Sequence, residues 1–343
     1  MKNYIHLVFL FLLLGCNYQS NQKKHVQITH KTINIKNNYI GKAGPIIFAN
    51  NKIIGIDFML DSCFFYIDTE KGELCRFGIK GQGANDFLYP YTLQQLSDNT
   101  FGVYDLTAKK FSEINIKDSI KLEQRHYVSK DIMSFNFKKL SNNRYLGFGP
   151  YKNEMFIITD SLGIKINAFY EFPYKDNNEK ATKNHLRSMA YQGTISTNIS
   201  NNKFIYTPTF GDIIHLYKWE NDSIKIICKI ECSYPSYTIE EGGGGFGAPL
   251  NPNNIAGYIS TAATDQYIYL LYSGTKLIDF IKEKKEFCGN TLFIYNWEGK
   301  KLKELKLDIE CRYITISTDN KILWGIAYNP DPELVYFDLS KID

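Results

Sequence analysis

Ser141-Asn142-Asn143-Arg144-Tyr145-Leu146 is one of six related stretches that recur along the chain. Each is a small polar turn rich in Asn and Asp, followed by a strand in which aromatic and aliphatic residues alternate. The other five copies are ANNKII at 49–54, SDNTF at 97–101, SNNKFI at 200–205, TDQYIY at 264–269 and TDNKIL at 318–323. Because Asn and Asp tolerate the left-handed backbone that tight hairpins need, each copy predicts a β-hairpin.

A second hairpin follows each copy, in which an apolar strand ends in a charged turn and a further strand begins. These stretches read YIDTEKG at 66–72, VYDLTAK at 103–109, IITDSLG at 157–163, LYKWEND at 216–222, IYNWEGK at 294–300 and LVYFD at 334–338. A period of roughly 45 to 60 residues carrying four strands is typical of propeller blades. The sequence therefore predicts an all-β fold, a six-bladed β-propeller of four-stranded antiparallel blades. Two separate β-sandwiches are the alternative, but they should not give six copies in phase.

The last repeat stops at Asp343, one strand short of the others. Residues 26–35, VQITHKTINI, precede the first repeat and alternate like a strand. We expect this N-terminal segment to supply the missing outer strand of the sixth blade, because closing the ring in this way removes an exposed edge. The predicted propeller domain therefore covers residues 26–343.

The first residues, MKNYIHLVFLFLLLGC, have the pattern of a signal peptide covering residues 1–15. Their apolar run is too short to span a membrane comfortably. Leu13-Leu14-Gly15-Cys16 resembles the lipobox of bacterial lipoproteins, which implies cleavage before Cys16 and lipidation of its thiol. Residues 16–25 would then form the lipidated end and a flexible polar tether. An ordinary secretory signal that ends near Cys16 is the alternative.

Lipidation would attach the protein stably to a membrane, because more than one acyl chain is added. We therefore expect an outer membrane lipoprotein of the cell envelope that faces the periplasm or the cell surface. The charges are nearly balanced, with 40 Lys and Arg against 36 Asp and Glu, and the basic residues are scattered. This distribution argues against nucleic acid as a partner.

The remaining cysteines show no CxxC pair and no spacing that is typical of zinc. We expect most of them to be buried free thiols. A disulfide between Cys63 and Cys75 across one hairpin is the alternative, but this pair is off register by about one residue.

Three stretches resemble a known protein family. They are GIKGQGANDF at 78–87 with Pro90, LFIYNWEGK at 292–300 and WGIAYNPDPEL at 324–334. In these stretches the chain resembles the TolB-like, NHL-like six-bladed propeller lipoproteins of anaerobic Gram-negative bacteria, although Ala84 stands where the family often has Pro. The resemblance covers essentially the whole mature chain. It implies the propeller fold and no established enzymatic activity.

Motifs for catalysis or metal binding are missing: the chain has no G-x-S-x-G, HExxH or EF-hand pattern. The sequence therefore predicts no catalytic residue, no metal site and no cofactor. Arg side chains are natural partners of carboxylates. The candidate ligand-binding residues near the axial channel are Arg125, His126, Arg187, Tyr191 and Arg312.

Glu240 and Glu241 open the most glycine-rich stretch of the chain, EEGGGGFGAP at 240–249. Long loops between strands often carry recognition in propellers, so these two residues are further candidates for ligand binding, in a lid or binding loop. A solvated insertion without a partner is the alternative. The charged insertion at residues 276–288 predicts a loop or short helix whose apolar residues pack against the rim.

These observations favour a noncatalytic, monomeric binding module of the envelope that offers a propeller face to a glycan, a peptide or an envelope protein. A polysaccharide hydrolase or lyase is the first alternative, and a hydrolase would need two carboxyl groups about 5 to 10 Å apart at the channel mouth. A scaffold in an envelope protein complex is the second alternative, which rests on fold analogy alone.

Overall fold

The computed structural model describes residues 26–36, 38–117, 120–128, 132–242 and 245–342. The predicted signal peptide, Cys16 and the tether lie outside these residues. The described chain begins with two short strands, β1 (Val26–Ile28) and β2 (His30–Thr32). The strands that follow form four separate four-stranded antiparallel sheets, one small hairpin and one large sheet that also takes in β1 and β2.

Blades one to four each consist of four consecutive strands. In blade one they are β3 (Ala43–Ala49), β4 (Lys52–Asp57), β5 (Ser62–Asp68) and β6 (Leu74–Ile79), and in blade two β7 (Pro90–Gln95), β8 (Thr100–Asp105), β9 (Lys110–Asn115) and β10 (Lys121–Tyr127). In blade three they are β11 (Asn136–Lys139), β12 (Tyr145–Phe148), β13 (Phe156–Thr159) and β14 (Lys165–Phe169), and in blade four β15 (Gly193–Asn198), β16 (Lys203–Pro208), β17 (Asp212–Glu220) and β18 (Ser223–Ser233). The small hairpin is β19 (Glu240–Gly242) and β20 (Gly245–Gly247).

The large sheet is two blades that share one long strand. Its further strands are β21 (Tyr258–Ala263), β22 (Tyr267–Tyr272), β23 (Gly289–Asn296), β24 (Lys301–Ile316), β25 (Ile322–Tyr328) and β26 (Pro332–Asp338). The first half of β24 pairs with β23 as the outer strand of blade five, and its second half pairs with β25 as the inner strand of blade six. The six-bladed propeller predicted from the repeats is therefore confirmed.

The N-terminal segment closes the ring as predicted, but as two strands and not one. β2 pairs antiparallel with β26, with Lys31 opposite Tyr336, and completes blade six. β1 runs parallel to β24, with Val26 opposite Leu305, and adds a strand to the edge of blade five. The predicted single strand is divided at Thr29, where the chain crosses from one blade to the next.

Buried apolar residues of the described chain form six clusters, one at each interface between neighbouring blades. Alternation along the strands explains this arrangement, since successive side chains point to opposite faces of a sheet. Ile53 of β4 packs towards Trp324 of blade six, whereas the next residue, Ile54, packs towards Val103 of blade two. Each large side chain buried in this way stabilises the ring by roughly 1.5–3 kcal/mol.

The Asn-rich turns adopt the backbone that the repeat predicts. Asn50 and Asn51 have φ angles of 50° and 54°, and Asn142 and Asn143 have 57° and 53°. Two successive positive φ angles are what a two-residue type I′ hairpin requires.

One of the twelve predicted hairpin stretches is displaced by one strand. Residues 103–109 connect β8 to β9, the second and third strands of blade two, whereas the other blades have their charged turn after the third strand. The turn forms here because Asp105 ends β8 and its carboxylate accepts the backbone N–H of Ala108 at 2.8 Å. The outer strand of this blade begins later, at Lys121.

The two ends of the propeller differ in their connections. Because neighbouring strands run in opposite directions, the turns between first and second strands lie at one end, which we name the turn face. The connections between blades lie at the other end, the loop face. The loop face carries α1 (Asn177–Lys180) and α2 (Asn184–Ala190), between blades three and four, and α3 (Leu277–Glu283), between β22 and β23. None of the helices in the described residues is long and apolar enough to cross a membrane.

Helix α3 lies within the insertion that was predicted to be a loop or short helix. Phe280 of α3 is buried, and its ring lies 4.8 Å from that of Phe287. Phe287 in turn contacts Phe210 edge to face. These contacts pack the insertion against the rim of the propeller.

All cysteines of the described residues are free thiols. Cys63 is buried between blades one and two, and burial raises the pKa of its thiol to about 11. Cys75 lies opposite Tyr66 on the neighbouring strand. The two thiols are therefore three residues apart in register, which excludes the bridge between them in this structure.

Candidate functional site

The inner strands of the six blades surround a central cavity of about 570 Å³. This volume lies within the usual range of small-molecule sites. Hydroxyl and amide side chains form much of the wall, among them Thr92, Gln94, Asn136, Ser196 and Thr315. Among the described residues there is no group of three or more His, Cys, Asp or Glu side chains that could hold a metal ion.

Polar side chains also join the inner strands of different blades. The backbone N–H of Phe48 donates to Thr315 Oγ1 at 3.1 Å, and that of Ile314 donates to Ser260 Oγ at 3.0 Å. Gln94 reaches two other blades, because its Nε2 donates to Lys139 O at 2.8 Å and to Thr197 Oγ1 at 2.9 Å. These bonds satisfy backbone groups on strand edges that face the channel. The cavity wall is therefore held by a network and is largely preformed.

Aromatic and charged residues converge where the channel opens on the loop face. We name this group the aromatic mouth. It consists of Phe58, Tyr89, Tyr91, Glu286, Arg312, Tyr313 and Tyr328. Its members come from blades one, two, five and six, so only the closed ring brings them together.

Three rings of the aromatic mouth form a stacked row. The Phe58 and Tyr89 centroids lie 5.7 Å apart with planes inclined by 25°, and those of Tyr89 and Tyr91 lie 5.8 Å apart at 23°. Phe58 lies over the inner strand of blade one at Gly44, where an added Cβ would come within 2.7 Å of its ring. Tyr89 is 39% exposed and Tyr91 is 37% exposed. The row therefore presents aromatic surface to solvent.

Arg312 stands beside this row on the inner strand of blade six. Its guanidinium lies 5.4 Å from the Phe287 ring centroid and 5.1 Å from that of Tyr313, and its Nη1 donates to Phe287 O at 2.9 Å. Glu286 Oε2 is 4.0 Å from Arg312 Nε, and Oε1 is 3.5 Å from Lys42 Nζ. The mouth thus combines ring faces with a cation held in place and a carboxylate.

Tyr91 and Tyr313 of the mouth remain protonated at neutral pH. Burial raises the pKa of Tyr91, and the neighbouring Tyr313 and Tyr89 raise it further. Burial also raises the pKa of Tyr313, although the adjacent Arg312 opposes this effect. Both side chains therefore offer hydroxyl groups that can donate as well as accept hydrogen bonds.

Arg125 and His126, predicted near the channel, lie on β10, the outer strand of blade two. The Arg125 guanidinium covers the Phe87 ring at 5.5 Å. His126 is buried between blades two and three, where its Nδ1 donates to Ser161 O at 3.1 Å and its Nε2 lies 3.5 Å from Glu113 Oε1.

Glu113 connects these two blades. Its carboxylate accepts hydrogen bonds from Lys139 Nζ at 2.7 and 2.8 Å. Burial alone would raise the pKa of Glu113, but the nearby His126 and the hydrogen bonds from Lys139 outweigh it and lower the pKa. The contacts of His126 thus join two blades.

Arg187 and Tyr191 lie in and after α2, and their side chains point into the fold and not into the channel. Arg187 is fully buried and donates to the carbonyl oxygens of Lys180 at 2.8 Å and Thr182 at 2.9 Å. The Tyr191 hydroxyl donates to Glu179 Oε1 at 2.8 Å. Arg187 is placed there because a cation satisfies the free carbonyl groups at the end of α1.

Glu240 and Glu241 lie in β19, at the start of the small hairpin on the loop face. Both residues are exposed. The hairpin packs against α2 through an edge-to-face contact in which the ring centroids of Phe246 and His185 lie 5.2 Å apart. Glu241 Oε1 lies 3.4 Å from Lys183 Nζ. Of the ligand-binding residues that the sequence predicts, Arg312 alone lies in the aromatic mouth.

Sequence reasoning did not identify the other residues of the mouth. One local signal was available: Tyr89 and Tyr91 flank Pro90 directly after the glycine-rich linker, where a strand begins at the channel. Phe58 and Glu286 follow no motif, and they reach the site only because their blades close the ring.

Comparisons with known proteins agree with this architecture. The family model described as TolB-like 6-blade propeller-like matches residues 20–319. A DUF4221 family member from Bacteroides vulgatus ATCC 8482 is similar in structure, with a TM-score of 0.55, 10% identity and coverage of 92% of this chain and 96% of that chain. A protein of Bacteroides fragilis NCTC 9343 described as exported gives a TM-score of 0.52 and 13% identity, with coverage of 91% and 98%.

The WD40 repeats of RRP9 are also similar, with a TM-score of 0.52 and 8% identity over 90% of this chain and 97% of that chain. No curated protein matches the chain. At these identities the solved structures show the fold alone. The family model covers most of the chain, and the chain therefore belongs to the TolB-like six-bladed propeller family.

Proposed function

We propose that this protein is an exported lipoprotein, anchored in the cell envelope through Cys16, whose propeller binds a glycan at the aromatic mouth without catalysis. The observation that carries the proposal is the stacked row of Phe58, Tyr89 and Tyr91, of which the two tyrosines are exposed, beside the guanidinium of Arg312. The apolar face of a sugar ring packs on an aromatic ring, and its hydroxyl groups pair with tyrosine, arginine and carboxylate groups.

The proposed anchor is supported by the lipobox-like residues Leu13-Leu14-Gly15-Cys16 and by the similar Bacteroides fragilis protein described as exported. Metabolic labelling with a radioactive fatty acid tests the anchor. Label should enter the native protein and should be absent from Cys16→Ser. Equal labelling of the variant would contradict lipidation at Cys16.

A glycan array with the soluble protein lacking residues 1–22 tests the binding function. We expect ligand-specific signals, and Tyr91→Ala should weaken binding of each hit about tenfold, which corresponds to about 1.4 kcal/mol. Tyr127→Ala is the matched control, because Tyr127 is 62% exposed on the outer strand of blade two, away from the mouth. Equal losses in the two variants would refute the aromatic mouth as the site.

Product analysis of the same glycans tests the absence of catalysis. Each bound polysaccharide is incubated with the protein, and chain length and new reducing ends are measured. We expect no product. Turnover that is abolished by Glu286→Gln would overturn the noncatalytic proposal in favour of a hydrolase or lyase at the mouth.

A further inference from the structure

The inner strands carry charges of one sign only. Their charged residues are Lys138 and Lys139 in β11 and Arg312 in residues 311–316, the part of β24 that pairs with β25, while β3, β7, β15 and β21 have none. No Asp or Glu occurs in these six inner segments. The charges on these six inner segments are therefore positive, and they lie on blades three and six.

Two of these three cations have acidic neighbours, and the third does not. Lys139 Nζ is paired with Glu113 at 2.7 Å, and Arg312 Nε lies 4.0 Å from Glu286. Lys138 is 5% exposed, lines the central cavity, and donates from Nζ to Leu93 O at 2.6 Å. No acidic side chain of the described residues forms an ion pair with it.

A buried lysine without a counter-ion is unfavourable for the folded protein. Burial lowers the pKa of Lys138 to about 7, and no neighbouring charge opposes this effect. A methionine of similar length would fill the position without the cost of removing an ammonium group from water. A destabilising charge in a cavity of ligand size is a feature of functional sites.

We infer that the central cavity binds a small molecule that carries a carboxylate or phosphate group, and that the ammonium group of Lys138 is its counter-ion. This inference rests on the proposed function, in that the channel is taken as the ligand site, but it adds a second contact and defines the ligand's charge. The aspartates that line the cavity, Asp98, Asp265 and Asp319, lie in the turns of the turn face. An anion therefore enters from the loop face, past Arg312.

The cavity suits a compact polar anion. Its volume of about 570 Å³ admits a small molecule, and Thr92, Asn136 and Ser196 line it with hydroxyl and amide groups. These groups hydrogen-bond the uncharged part of a ligand, and Lys138 supplies the one buried positive charge among them. A Lys ammonium group binds carboxylate and phosphate as a point charge, so both classes are tested.

Titration of lysine side chains by NMR tests the inference on the unmodified protein. The protein is labelled with ¹³C,¹⁵N-lysine, and the Lys138 signal is assigned by its loss in Lys138→Met. Sodium acetate, sodium succinate and inorganic phosphate are added separately, with sodium chloride at matched ionic strength as the control. We expect at least one oxyanion to raise the Lys138 pKa by one unit or more. A pKa that none of the three moves beyond the chloride control would overturn the inference.

Thermal unfolding of variants supplies the second test. The effective oxyanion should raise the Tm of the native protein and of Lys321→Met, a control at an exposed lysine on the turn face. Lys138→Met should lose this rise while keeping a folded circular dichroism spectrum. A rise that persists in Lys138→Met would place the anion elsewhere and would also overturn the inference.

The two proposals fail in different ways. Tyr91→Ala should weaken glycan binding and leave the anion-induced shift of the Lys138 pKa unchanged. An array without hits, together with a Lys138 pKa that responds to phosphate, would remove the glycan proposal alone. Glycan binding with a Lys138 that responds to no oxyanion would remove the anion site alone.

Discussion

The backbone N–H of His30 donates to Asp308 Oδ1 at 3.0 Å, and His30 Nδ1 lies 2.9 Å from the same oxygen. Asp308 lies where β24 passes from its pairing in blade five to its pairing in blade six. His30 begins β2, directly after the chain has crossed between the same two blades. One carboxylate therefore fixes the point at which the N-terminal segment closes the ring.

We expect Asp308→Ala to lower the free energy of unfolding by roughly 1–2 kcal/mol, because it removes the acceptor for the His30 N–H and for the ring. Asp308→Asn keeps an acceptor oxygen at the same place and should cost less. Urea unfolding followed by tryptophan fluorescence measures both variants. Asp308→Ala with the stability of the native protein would show that the contact does not hold the closure.

Gln94 should be one of the most sensitive polar positions of the channel wall. Its amide binds both backbone groups of Lys139, with 2.8 Å to the carbonyl oxygen and 2.8 Å from the N–H to Oε1. Gln94→Leu leaves both groups without a partner in the interior, and each costs about 1–3 kcal/mol. We therefore expect a loss of about 3 kcal/mol in urea unfolding. Gln95→Leu, one residue along the same strand and partly exposed, is the control and should change stability little.

The pH dependence of stability should reveal the buried His215. Burial lowers its pKa from 6.5 to about 4, although the hydrogen bond with Glu231 opposes this effect. Between these values the unfolded chain binds a proton that the folded protein does not, so stability is complete above pH 6.5 and falls as the pH approaches 4. At pH 5 the cost is roughly 2 kcal/mol, from a difference of about 1.5 pH units at 1.36 kcal/mol each.

His215→Gln tests this pH dependence, because Gln retains hydrogen-bonding groups and does not titrate. Urea unfolding at pH 7 and pH 5 should show that the native protein loses roughly 2 kcal/mol more than the variant. His185→Gln, at the partly exposed histidine beside Phe246, is the control for the replacement of an imidazole by an amide. Equal slopes in His215→Gln and the native protein would contradict the buried neutral histidine.

The fold could be predicted because its signals are local. The turns at Asn50-Asn51 and Asn142-Asn143 need a left-handed backbone that Asn tolerates, and this preference is visible without knowledge of any distant residue. The closing strand was also predictable, because the repeat count left one strand missing. Its division at Thr29 was not, because this depends on where blades five and six lie relative to each other.

The site could be predicted only in part, because it is built from residues that are distant in sequence. The sequence identifies Arg312 as a candidate for the channel, but Tyr91, on the inner strand of blade two, comes near Arg312 only when the blades close the ring. Lys138 was missed for a related reason. Its strand, NFKK, carries two adjacent lysines, and the sequence does not reveal that Lys139 pairs with Glu113 while Lys138 forms no ion pair with an acidic side chain in the described part of the chain.

Arg187 should prove to be a structural residue and not a ligand contact. Its side chain is fully buried, and besides the α1 carbonyl groups it binds Glu171 Oε2 at 2.7 Å. Arg187→Met leaves this carboxylate and the carbonyl oxygens of Lys180 and Thr182 without their donor. Because hydrogen bonds to charged groups are worth about 1.5–3 kcal/mol each, we expect a loss of at least about 3 kcal/mol in urea unfolding. At a temperature where the variant is folded, its affinity for the glycans that the native protein binds should be unchanged. A variant of native stability that has lost glycan binding would instead place Arg187 in the ligand site.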